Sequence, residues 1–218
     1  MSQRAVLRRW SRKLEPLGQG DLDYLCGIYA SINAIRLVYA PTAQLLERED
    51  SQLFKLAVEE LAARGKLATA MVSGMEAAML FPVLERLVRS IRPRSKRRLT
   101  IIRPRPRHGR DDDLLGFIQM HLDRAEPAIV RLKGAWQHWS VIAAISSRKV
   151  FLFDSYGRRR IRLTELSTSP DDEPARFRIM RAGVFILSWS DATTGPPVAE
   201  APTPGSSVPD QSGPSSTA

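Results

Sequence analysis

The chain has 218 residues, 43% of them hydrophobic and 26% charged, a balance that supports one folded domain with tails and argues against a wholly disordered protein. No apolar run approaches the roughly 20 residues that cross a bilayer, and a single cysteine, Cys26, excludes an intramolecular disulfide. The basic N-terminus lacks the apolar core of a secretory signal, so the reading is a reducing, cytoplasmic home with no membrane association.

The formal charge of +10 is uneven: Met1–Ser190 carries +13, because only three acids and no Lys or Arg follow. Arg89–Arg110 holds ten basic residues and no acidic one. Such a run suits phosphates or an acidic partner, while Pro93, Pro104 and Pro106 also suit a solvated connector. It has no aromatic residue to stack a base and no nucleic-acid motif beside it, which argues against specific nucleic-acid recognition.

In chain order, residues 1–16 form a basic lead-in, 17–190 the folded domain, and 191–218 a Pro/Ser/Thr-rich tail too poor in apolar residues to order itself. A Gly- and Asp-rich loop, Gly18-Gln19-Gly20-Asp21-Leu22-Asp23, runs into a helix. There Leu25, Ile28, Ile32, Ile35 and Tyr39 recur at helical spacing, ending by Pro41. A second helix is predicted from about Asp50 to Arg64, stopping near Gly65. A third runs from Ser73 to about Ser90, with Met75, Met79, Val83, Leu87 and Ile91 on one stripe and Pro82 as a kink or a restart. Leu99–Ile102 reads as a short strand within the basic connector. Asp111-Asp112-Asp113 precedes a helix carrying Leu114, Leu115, Ile118 and Leu122. Carboxylates there are explained by the helix dipole, and without a His at ligand spacing they do not make a metal site. Nothing in the sequence calls for a cofactor.

After Pro127 the pattern turns to strands. These are Ala128–Leu132, the doubly apolar Trp139–Ile145, Val150–Phe153, and one or two strands in Phe177–Trp189 around Gly183. Helices first and strands second give an α+β domain, its antiparallel sheet packed against the Cys26-bearing helix.

Three residues in this framework carry chemistry. Cys26 falls in the first turn of its helix, where free N–H groups and the dipole favour a thiolate, and Asp21 or Asp23 is placed to cap that helix. The plain alternative is a small buried thiol. His138 opens the most apolar strand and Asp154 closes the next, whereas His108 and His121 suit ordinary surface or core roles. Cys, His and Asp are the types needed for a nucleophile, its base and the group orienting the base. A three-residue link, Ser146-Ser147-Arg148, sets Asp154 opposite Ser140 on the face of His138. A two- or four-residue link puts the two on opposite faces unless a bulge resets the register. Trp136 and Trp139 flank His138, as cleft walls or as plain core.

The order Gln19, Cys26-Gly27 at a helix start, His138-Trp139 at a strand start and Phe153-Asp154 at the end of the next resembles a papain-like cysteine peptidase. It is most similar to the compact bacterial branch related to bacteriocin-leader peptidases. The resemblance covers about Leu17 to Asp154 and extends by order of elements toward Trp189. It implies that Cys26 is the nucleophile, His138 the general base, Asp154 its orienting partner and Gln19 a donor to the oxyanion together with the Cys26 backbone N–H. Gln19 precedes Cys26 by one residue more than the family usually has, leaving Asp23 or backbone donors as substitutes. No transporter region accompanies the motifs, so export-coupled leader removal is not implied. The expected function is a thiol protease-like hydrolase that cuts a peptide or isopeptide bond of a protein or peptide substrate. The same fold acting as an acyltransferase or amidase, or as a silent binding module for an acidic partner, is the alternative.

Overall fold

The structure is a computed structural model and describes residues 3–20, 23–40, 47–92, 97–104, 113–169 and 175–191. It combines helices with a largely antiparallel sheet, as the α+β reading requires. The predicted tail lies outside the described residues except at Asp191, and so do residues 93–96 and 105–110 of the basic connector.

The helices are α1 (Gln3–Lys13), α2 (Cys26–Tyr39), α3 (Glu47–Ala63), α4 (Leu67–Ser73), α5 (Ala77–Ser90) and α6 (Leu114–Leu122). The strands are β1 (Arg97–Ile102), β2 (Ala128–Gly134), β3 (His138–Ile145), β4 (Lys149–Phe153), β5 (Arg160–Arg162), β6 (Leu166–Ser167) and β7 (Phe177–Asp191). They join in the order β1-β7-β2-β3-β4-β5, and β6 runs parallel beside β7, the one departure from the antiparallel expectation among the described strands.

The central helix is α2, buried along its whole length except at Tyr29 and Arg36. A helix apolar on nearly every side must be surrounded by other elements. It lies against β3, β2 and β7, with α1, α3 and α5 as helical neighbours. The segment read as a lead-in includes α1, whose Leu7 is fully buried in the core.

The third predicted helix differs from expectation. Ser73–Ser90 is not continuous: α4 ends at Ser73, and Gly74 at φ 75° turns the chain before α5 begins at Ala77. Only glycine enters that backbone region without strain. Pro82 sits inside an unbroken α5 and neither ends nor restarts it. Asp113 caps α6, its Oδ1 accepting from Gly116 N at 2.7 Å. This is the dipole reading of the Asp run; Asp111 and Asp112 lie outside the described residues.

The hairpin joining β3 to β4 decides the site. Near the turn Ile145 pairs with Val150, the four-residue link that by itself separates the side chains of His138 and Asp154. A bulge between Ile142 and Ala144 then shifts the register, so that Ile142 meets Leu152 and Val141 meets Phe153. Asp154, the next residue, comes level with Ser140 on the face of His138. One extra residue restores what the link undoes.

Among the described residues, no single helix is long and apolar enough to cross a membrane.

Candidate active site

Cys26 is the first residue of α2, and His138 the first residue of β3. Asp154 follows directly on β4. Three element ends therefore converge, each fixed by buried neighbours. His138 Nε2 lies 2.9 Å from Asp154 Oδ2, the Cys26 side chain is near enough to act on the imidazole, and Cys26 Sγ itself donates to Tyr24 O at 3.9 Å. With Nε2 turned to the carboxylate, Nδ1 is the nitrogen left for the thiol. His138 and Asp154 are 5% and 2% exposed, and Cys26 keeps 8%.

The second oxygen of Asp154 is occupied as well. Oδ1 accepts from Tyr156 N at 2.9 Å and Arg158 N at 3.2 Å, so the turn after β4 aims the carboxylate. Burial alone would lower the His138 pKa. The hydrogen bond to Asp154, the neighbouring Cys26 side chain and the charge of the carboxylate outweigh it, and the pKa rises to about 9. The ring is thereby held as an imidazolium through neutral pH.

At the start of α2 the expected cap is absent. The N-cap is Leu25, with no side-chain hydrogen bond. Asp23 Oδ1 instead accepts from Leu25 N at 2.9 Å, and Asp21 lies outside the described residues. Capping by Asp23 would spend its carboxylate on first-turn N–H groups. Bound to the N-cap's own N–H it fixes the approach to the helix instead, and the Cys26 and Gly27 N–H groups carry no side-chain cap.

Gln19 sits on a bridge between helix and sheet. Asn33 of α2 clamps Leu17, two residues before Gln19, accepting from Leu17 N at 2.7 Å and donating to Leu17 O at 3.1 Å. Gln19 N donates to Ser155 O at 2.9 Å, beside Asp154. The Gln19 amide, however, donates from Nε2 to Asp23 O at 2.5 Å, and its Oε1 is buried without a hydrogen-bond partner among the described residues. Gln19 is thus tied to the turn that carries Asp154 and to the loop that enters Cys26.

The two flanking tryptophans separate. Trp136 stacks on His138, ring centroids 4.1 Å apart and 15° from parallel, and the guanidinium of Arg158 covers Trp136 at 4.9 Å. Trp139 is core, 1% exposed, with Nε1 donating to Met75 O at 2.7 Å. Tyr156 meets the His138 ring edge-on at 6.1 Å, and both Tyr156 and Tyr24 are well exposed.

One charged residue beside the site was missed in the sequence. Arg131 of β2 pairs through both terminal nitrogens with the Glu76 carboxylate. Burial lowers its pKa, and the charge of Cys26 opposes that effect. A lone Arg inside Ala128-Ile129-Val130-Arg131-Leu132 was the available signal. Among the described residues no group of three His, Cys, Asp or Glu side chains is placed to hold a metal ion.

Comparison with models of protein families, with curated proteins and with solved structures returns no match for this chain.

Proposed function

We propose that this chain is a cysteine peptidase-like hydrolase with a papain-like arrangement, cleaving a peptide or isopeptide bond through a thioester on Cys26. The observation that carries the reading is a buried imidazole hydrogen-bonded to a carboxylate and lying beside a helix-terminal thiol. A structural cysteine needs neither partner.

The chemistry follows from these positions. The Cys26 thiolate attacks the carbonyl carbon, forming a C–S bond and moving the carbonyl electron pair onto oxygen. The Cys26 backbone N–H and the Gln19 side chain are the donors for that oxyanion. An amide carries two N–H donors, so Gln19 keeps one beyond the bond to Asp23 O. As the tetrahedral species collapses, the His138 imidazolium protonates the departing amine and the C–N bond breaks. Neutral His138 then takes a proton from water, whose oxygen attacks the thioester. The C–S bond breaks, an acid is released and the thiolate–imidazolium pair returns. Asp154 holds the ring and favours its charged form throughout.

A peptide mixture incubated with the protein and read by mass spectrometry tests this. Expected are cleavage products that disappear in Cys26→Ala, and an acyl adduct on Cys26 that hydroxylamine removes. Neither products nor adduct from peptide and isopeptide mixtures would overturn the hydrolase reading. An adduct passed to an added amine rather than to water would identify the acyltransferase.

A further inference from the structure

The wall of the site beyond Cys26 is built by the turn between α4 and α5. A Cβ placed on Gly27 would come 3.2 Å from Met75 Sδ, and one on Gly74 would come 3.7 Å from Tyr24 O. Residues 74–76 therefore run alongside residues 24–27. Trp139 fastens this turn to β3 through Met75 O. Glu76, the next residue, is the N-cap of α5 and meets Arg131, which sits directly across from Trp139 in the β2–β3 ladder.

Arg131 is held there by a local irregularity of the sheet. The β2–β7 register breaks at this residue, with Val130 opposite Val184 and Leu132 opposite Ile179. Gly183 lies in the extra β7 segment, and a Cβ there would stand 2.6 Å from Arg131 Cβ. The missing side chain gives the arginine its room. The two ends of the ion pair differ: the Arg131 side chain is 12% exposed, the Glu76 side chain 66%. A carboxylate that exposed can leave for solvent without opening the core, whereas the more buried guanidinium fork stays in place and is suited to any planar carboxylate.

We propose that Arg131 is a specificity-determining residue that receives a carboxylate of the substrate beside Cys26, with Glu76 as the resident group that the substrate displaces. This rests on the cysteine hydrolase reading and adds the substrate class: a peptide with an acidic side chain, or with a free terminal carboxylate, next to the reacting bond. The coupling of the Cys26 charge to Arg131 is consistent with that proximity.

The test uses three reagents on the full chain: bromoacetyl-glutamic acid amide, its glutamine isostere, and bromoacetyl-glycine with a free carboxylate. In each the Cys26 thiolate displaces bromide, and mass spectrometry gives the rate. At least one acidic reagent is expected to label the wild type about tenfold faster than the isostere, and which one does so identifies the source of the carboxylate. Arg131→Gln is expected to abolish the preference. Glu76→Gln, an exposed change, is expected to increase it by removing the competitor. Fast labelling with no preference in the wild type, or a preference unchanged in Arg131→Gln and not raised in Glu76→Gln, overturns this proposal alone. Slow labelling by all three reagents and by iodoacetamide overturns the nucleophile reading and this proposal with it.

Discussion

Asp154 holds His138 with one carboxylate oxygen while its other oxygen is held by two backbone N–H groups, those of Tyr156 and Arg158. The carboxylate therefore cannot turn away from the imidazole without breaking its own turn. Its charge is part of what raises the His138 pKa to about 9.

This fixes a pH limb. The raised pKa means that the imidazolium, which the proposed mechanism uses as proton donor to the leaving amine, is present below about pH 9 and lost as pH rises through that value. In Asp154→Asn the charge is removed with little change of shape. The basic limb of kcat/KM is expected to move down toward the ordinary histidine value of about 6.5, and kcat to fall by about 10²–10⁴-fold. An unmoved limb would show that Asp154 does not act on the ring.

In the proposed mechanism Gln19 is an oxyanion donor, and its side chain is turned to Asp23 O. If its second N–H serves the oxyanion, Gln19→Ala lowers kcat by about 10²–10³-fold with a small change in KM. A large change in KM with kcat intact would assign Gln19 to substrate binding instead.

A second buried histidine contributes to the fold. His121 Nδ1 lies 2.6 Å from Glu126 Oε2, and Ser188 donates to the other oxygen of Glu126. Burial by itself would raise the Glu126 pKa, but the hydrogen bonds from His121 and Ser188 and nearby positive charge outweigh it, so the net shift is downward. A lowered carboxylate pKa stabilises the fold above the unfolded-state value, about 4.5, and that contribution is lost as pH falls through the folded-state value. Chemical denaturation from pH 6 down to pH 3 is expected to show a shallower loss of stability in Glu126→Gln than in the wild type.

Gly183 allows strand β7 to pass Arg131. A Cβ at this position would stand 2.6 Å from Arg131 Cβ and 3.5 Å from Trp139 Cη2. Gly183→Val is expected to cost about 1–3 kcal/mol in urea unfolding, since neither neighbour is free to move. Val at Gly65, where nothing lies within 4 Å but φ is 64°, separates backbone strain from crowding.

Much of this was legible because each element end carries one informative residue. Helical spacing from Leu25 to Tyr39 placed α2 and put Cys26 in its first turn, and apolar runs located β3 and β4. The meeting of His138 and Asp154 was not readable from spacing. It depends on two compensating features, a four-residue link and a bulge, and neither has a residue signature in Ser146–Lys149 or around Ala143. The later start of the helix, at Ala77 rather than Ser73, was hidden because Met75 in the turn keeps helical spacing with Met79 and Val83. Arg131 was passed over because its meaning lies in Glu76, 55 residues away.

The most direct measurement is the alkylation rate of Cys26 by iodoacetamide against pH, in the wild type and in His138→Ala. A thiolate–imidazolium pair predicts fast labelling that persists well below pH 8 and drops sharply in the variant. An ordinary thiol profile centred near pH 8.5, the same in both proteins, would contradict the account at its root.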